Sequence, residues 1–315
     1  MRSPVRASDA SAVGIIIPES PIPVPRDTIV RHPAVAGAFY AGTKDALLRQ
    51  IEACYRHPFG PGRMPALKDG PRAIKGLVVP HAGYMYSGPV AAHSYGALAA
   101  DGWPEHLVVL GPNHHGIGAP VALCPEDHAT PLGTVRYDAD VGERIVGGVV
   151  ESDAGAHREE HSIEVQLPFL QHLRADVSFV PVALTFQEWD VAREVGEAVA
   201  KALKGLDAVV IASSDFTHVG VNYGQMPPRG ESVAQFARRQ DEKALAPIRR
   251  MDPKGLQDAV HENEITMCGY GPVTAMLVAA KKLGARDVDF LKYANSAEIV
   301  SDRNLAVGYG ALVVR

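Results

Sequence analysis

The chain has 315 residues, 46% hydrophobic and 21% charged, enough for a sizeable core and ordinary for a globular protein. A formal net charge of −5 without a dense Lys/Arg block excludes the electrostatic footprint of a nucleic-acid binder and a polybasic membrane patch. Three scattered cysteines without a CxxC pair argue against a disulfide scaffold. No run approaches the ~18 apolar residues of a spanning helix, and the chain is expected to be cytoplasmic and independent of membranes.

Residues 1–30 contain Pro18, Pro21, Pro23 and Pro25 and are expected to form a flexible or surface-wrapping tail. From Arg31 to Arg315 the composition is that of one folded domain. Helical spacing over 45–57 precedes a Gly/Pro-rich loop at 57–72 and a buried strand at 75–80. A helix near 89–100, strands at 106–112 and 120–124, and an amphipathic stretch at 161–173 follow. The pattern continues as strand 177–184, helix 188–206 and strand 207–215. Two helices near 231–250 and 253–262, a helix over 271–285 and strands at 288–295 and 306–314 close the chain. Continuous apolar strands alternating with helices predict a single α/β domain whose central, mostly parallel sheet carries helices on both faces.

Three buried strands end in polar residues. "LVVP" runs into "HAGYMYSG", placing His81 at a strand tip with Tyr84 beside it. "VVLGP" runs into "NHHG", with His114 and His115, and "VVIASS" runs into "DFTHVG", with Asp215 and His218. Ligand sites of open α/β sheets lie beyond the carboxyl ends of strands, where loops present side chains over a rigid scaffold. Each residue also has a plainer explanation: a lone histidine at a strand end usually hydrogen-bonds locally, and Asp215 can cap a turn. Neighbouring side chains diverge, so one of the two adjacent imidazoles is expected to face a shared ion.

"EEHSIEVQLPFL" adds His161 and Glu164 at i, i+3, on one face if helical, where the two can orient the metal-facing imidazoles, or where Glu159 and Glu160 simply favour a helix start. Cys268 precedes a helix beginning near Gly271, a position that lowers a thiol's pKa, although most free cysteines are small buried hydrophobes. Cys54 and Cys124 are read in that second way. Dinucleotide, phosphate-loop, nucleophile-elbow and HExxH motifs are all missing.

The stretches "VVPHAGYMYSGPVAAHSY", "VVLGPNHHG", "HSIEVQLPFL", "ASSDFTHVG" and "CGYGPV", in that order, resemble the MEMO family, whose prokaryotic members are called AmmeMemoRadiSam system protein B. "AVAGAFYAG" and the closing "VGYGALVV" extend the resemblance over residues 31–315. It implies a fold like that of class III extradiol non-haem iron dioxygenases. It further implies iron or copper, with zinc as an option, on His81, His114 and Cys268. Asp215, His218 and His161 are then the acid/base candidates, with His115, Tyr84 and Glu164 in or behind the pocket. A thiol where an extradiol enzyme has a carboxylate departs from that enzyme's chemistry. The implied function is a metal-dependent oxidoreductase acting on a small molecule or peptide. The alternative is a non-catalytic binding module, partnered by a radical SAM protein and a companion of the same system.

Overall fold

The computed structural model describes residues 29–315. The expected tail therefore lies outside the described residues except for Ile29 and Val30, and Val30 is already paired in a strand. Among the described residues the strands are β1 (Val30–Arg31), β2 (Gly76–Val79), β3 (His106–Pro112), β4 (Val121–Leu123), β5 (Asp127–Thr130), β6 (Gly133–Tyr137), β7 (Glu151–Ser152), β8 (Ser178–Leu184), β9 (Ala208–Ser213), β10 (His218–Gly220), β11 (Val288–Asn295) and β12 (Leu305–Val314). The helices are α1 (Lys44–Arg56), α2 (Gly88–Asp101), α3 (Ala139–Ile145), α4 (Leu167–Leu173), α5 (Trp189–Ala202), α6 (Val233–Arg249), α7 (Pro253–Glu262), α8 (Tyr270–Lys282) and α9 (Ser296–Val300).

The sheet runs β1-β5-β6-β8-β3-β9-β2-β12-β10, with β11 on β12 and β4 on β8. Its centre, β8-β3-β9-β2, is parallel, and antiparallel β12 closes it beside β2. The sheet is thus mixed and mostly parallel at its core, as the apolar runs predict. Alternation along each central strand divides its residues between two layers. Val78, Val108, Leu110, Val210 and Ala212 pack with α5, α7 and α8 residues in one core. Leu77, Val79, Leu107, Val109, Val209 and Ile211 pack with α1, α2 and α4 residues in the other. Removing one such side chain, as in Leu110→Ala, costs about 2–5 kcal/mol.

The hairpin β5–β6, helix α3 and the short strands β7 and β10 do not stand out in the sequence. "DHAT" and "GTVRY" are too polar and short to read as strands. Pairing with β1 and β8 makes them strands.

For the site, the decisive fact is that β9 lies between β3 and β2. The segments following these three strands therefore leave the sheet side by side at its carboxyl edge, the condition the sequence pattern required.

Candidate metal centre

His81 follows β2 and is buried. Its backbone N–H donates to Asp215 Oδ1 at 2.8 Å, tying the loop after β2 to the loop after β9. Its Nδ1 lies 2.9 Å from Ser213 Oγ. That hydroxyl already donates to the Ser162 carbonyl at 2.6 Å and accepts from Gln166 Nε2 at 2.8 Å. Its remaining capacity is to accept, so His81 Nδ1 carries the proton and Nε2 presents a lone pair. Burial, and then the neighbouring imidazoles, hold His81 well below the ordinary histidine value, which keeps it neutral.

His114 follows β3 on a tight turn. Asn113 Oδ1 accepts from the N–H groups of His115 and Gly116, and Gly116 takes φ +64°, where a glycine avoids the Cβ penalty. That turn separates the two adjacent imidazoles. His115 is exposed, and a ring nitrogen of it lies within 4.8 Å of donor atoms of Glu160 and His161. His114 instead joins His81, their ring centroids 5.2 Å apart.

The third imidazole is His161. A ring nitrogen from each of His81, His114 and His161 lies within 4.8 Å of the other two, a cluster that can hold a metal ion. His161 lies nearly parallel to His114 at 4.6 Å and edge-on to His81 at 5.6 Å. Phe39 packs against it at 4.7 Å, its ring tilted. The segment carrying His161 passes close over the end of β3 because position 111 is glycine. A Cβ there would stand 2.5 Å from Ser162 Oγ and 2.8 Å from Ile163 Cγ1.

Glu160 orders this cluster. Its buried carboxylate accepts from His114 N at 2.5 Å, His114 Nδ1 at 3.0 Å, His161 N at 2.8 Å and Ser162 N at 2.7 Å. His161 Nδ1 is 3.4 Å away. Both Nδ1 atoms are thus turned to the carboxylate, leaving Nε2 as the free donor on each ring. This is the carboxylate–histidine arrangement that supports metal ligands. Burial alone would raise the Glu160 carboxyl, but the hydrogen bond and charge of His114, with His161 and the Ser162 N–H, hold it well below the usual carboxylate range. Burial also pushes His161 down to about 4, against the pull of Glu160.

Cys268 Sγ stands 3.1 Å from His81 Nε2 and accepts from Asp215 N at 3.2 Å. Its position before α8 does not acidify it. Burial, and then the Asp215 charge, push the thiol well above its ordinary value, because desolvation outweighs the helix terminus. Asp215 is buried, and burial raises its carboxyl against the influence of His218. His218 Nδ1 lies 2.9 Å from the Phe216 carbonyl and 3.0 Å from that of Thr266, which assigns a proton to Nδ1 and leaves Nε2 as the ring nitrogen without a carbonyl partner.

These groups open onto a cleft of about 520 Å3 that His81, His114, His161, Asp215 and His218 line together. Two expected residues are used elsewhere. Tyr84 is buried among Tyr40 and Phe169 and donates to the Val165 carbonyl at 2.6 Å; of these two neighbouring tyrosines it is Tyr86 that lines the cleft. Glu164 pairs with Arg31 at 2.6 Å and accepts from Tyr40 Oη and the N–H groups of Ala34 and Val35, making no hydrogen bond to an imidazole. Glu160 and Ser213 escaped the sequence reading. The one signal for Glu160 was its place next to His161, and Ser213 had none beyond its strand-end position.

The Memo-like protein family profile matches residues 31–313. The chain is 45% identical over 289 residues to a MEMO1 family protein of Methanothermobacter thermautotrophicus, covering 90% of this chain and 100% of that one. It is 44% identical over 291 residues to a MEMO1 family protein of Methanopyrus kandleri, covering 90% and 99%. Among solved structures, an uncharacterized protein of Escherichia coli K12 aligns over 75% of this chain and 99% of its own, with a TM-score of 0.48 and 16% identity.

Proposed function

Because this chain belongs to the Memo-like protein family, we propose that it is a metal-dependent oxidoreductase that holds iron or copper on His81, His114 and Cys268 and acts on a small molecule or peptide in the adjoining cleft. The observation that carries this reading is the convergence of the imidazoles of His81, His114 and His161, a ring nitrogen of each within 4.8 Å of the other two, with the Nδ1 atoms of His81 and His114 already hydrogen-bonded.

Among the described residues the three imidazoles close enough together for one ion are those of His81, His114 and His161; Cys268 lies against His81 and would complete the proposed set by moving toward His114. Imidazole suits iron, copper and zinc, and a thiolate adds preference for softer ions such as Cu(I). An imidazole and a thiolate on one tetrahedral ion stand about 3.5 Å apart, given metal–ligand distances of about 2.0 and 2.3 Å. The 3.1 Å between His81 Nε2 and Cys268 Sγ is close to that span, and the thiol proton lies where a cation would replace it. A redox-active ion there supplies one-electron chemistry and a coordination position for a substrate donor atom.

The chain's own groups divide the remaining work. Asp215 and Ser213 fix the backbone and ring of His81, and Glu160 fixes His114. His218 Nε2 is placed in the cleft to take or return a proton, with its other nitrogen locked on two carbonyls. His161 serves as a second acid/base group, and Phe39 packed against it keeps water from that side.

Metal analysis of protein purified without chelators tests the reading. Iron or copper close to one equivalent is expected, lost in His81→Ala and His114→Ala with circular dichroism unchanged. Cobalt-loaded protein should show the sulfur-to-metal charge-transfer absorption, and Cys268→Ser should abolish it. Metal-free wild type, or variants that retain metal, would overturn the proposal.

A further inference from the structure

The cleft extends from the imidazoles to Val300 and Asp302, and that outer end has a chemistry of its own. Tyr223 joins the two, its ring 5.1 Å from that of His218, and Tyr86 and the buried Tyr309 line the same cleft. Among the described residues neither lysine nor arginine lines the cleft; its charged side chains, apart from the histidines, are the carboxylates of Asp215 and Asp302. A ligand bearing a phosphate, sulfate or carboxylate would thus find no side-chain counter-charge at this end.

Asp302 is held ready for a donor. Its Oδ1 accepts from the N–H groups of Asn304 at 2.7 Å and Leu305 at 3.3 Å, which fixes the carboxylate at the start of β12. Among the described residues its Oδ2 has no hydrogen-bond or ion-pair partner, although Arg303 is adjacent in sequence. Tyr86 and Tyr223 line the same cleft and Tyr223 is 42% exposed; the face of an aromatic ring attracts a cation. Tyr223 is electrically close to both carboxylates: burial first, then Asp215, Tyr86 and Asp302 push its hydroxyl up.

We propose that the cleft takes a small organic amine, its protonated nitrogen set against the Asp302 carboxylate and the rings of Tyr86 and Tyr223, its other end at the imidazoles. This names the substrate class for the function proposed above and rests on it for the reacting end. The charge selectivity of the outer end stands on Asp302 and the tyrosines alone.

Three probes that share one body and differ in terminal charge test this: tyramine, the neutral tyrosol and the anionic 4-hydroxyphenylacetate. Calorimetric titration of the full-length protein is done after chelation and again after metal loading. If the metal reading fails, the order in chelated protein still reports on Asp302, so the two failures are distinguishable. An ion pair and a cation–π contact together favour tyramine over tyrosol by about tenfold, with 4-hydroxyphenylacetate weakest. Asp302→Asn keeps the acceptor for Asn304 N and should bring tyramine to within about twofold of tyrosol, while tyrosol is unchanged. Asp302→Lys should invert the order. Equal affinities for the three probes, tighter binding of the acid, a tyramine preference that survives Asp302→Asn, or no binding of tyramine overturns the proposal.

Discussion

Glu160 and Glu164 are both buried, four residues apart in the chain, and their surroundings separate a functional cluster from a structural one. Around Glu164, Arg31, Tyr40 and two backbone N–H groups all direct protons inward, and the Arg31 guanidinium gives two further donors to the carbonyls of His157 and Glu160. That network is closed: it fastens the first described segment to the sheet. Around Glu160 the donors include two imidazoles, each of which keeps a second nitrogen free toward the cleft. A carboxylate whose donors are an arginine, a tyrosine and backbone marks structure here, and one whose donors are imidazoles with a second nitrogen to spare marks the site.

The sharpest way to break this contrast is Glu164→Ala. It strands the Arg31 charge in the interior and should cost about 3–5 kcal/mol in urea unfolding. The folded fraction should retain its metal. A comparable loss of metal at constant stability would erase the distinction.

The second test uses pH. Burial pushes His157 down to about 4, with Nε2 2.8 Å from the Ala122 carbonyl. The unfolded imidazole, at ~6.5, takes a proton before the folded one does. Its contribution is therefore complete above pH ~6.5 and is lost as pH falls from there toward 4, roughly 3 kcal/mol in all. His157→Gln should flatten that acid limb in urea titrations between pH 7 and 4.5; an unchanged slope would show that the ring is not neutral in the fold.

Glu160→Gln addresses the other half of the contrast. Metal affinity should fall about 10–100-fold with a smaller loss of stability than Glu164→Ala, read by competition with a chromogenic chelator. The smallest effect belongs to Tyr84→Phe, which removes one buried hydrogen bond. About 1 kcal/mol of stability should go, with metal affinity unchanged, because Tyr84 lies behind the site.

The central strands and their tips were legible because a strand covered on both faces writes itself as an unbroken apolar run, and its end shows as the first polar residues. His81, His114, Asp215 and His218 were found that way. The choice between Glu160 and Glu164 was not legible. Both stand within a turn of His161, and only the path of the 29–41 segment, which brings Arg31 and Tyr40 to one of them, decides which is left for the imidazoles. Tyr84 and Tyr86 pose the same difficulty two residues apart. The raised thiol of Cys268 was hidden too, since position before a helix is visible in sequence and desolvation is not.

The most direct measurement is the anomalous diffraction of crystals loaded anaerobically with Fe(II) or Cu(I). A single ion about 2.0–2.3 Å from ring nitrogens of His81 and His114 and from Cys268 Sγ, with one position open to the cleft, is the expected result. An ion lodged elsewhere, or imidazoles of His81 and His114 that bind no common ion, would contradict it.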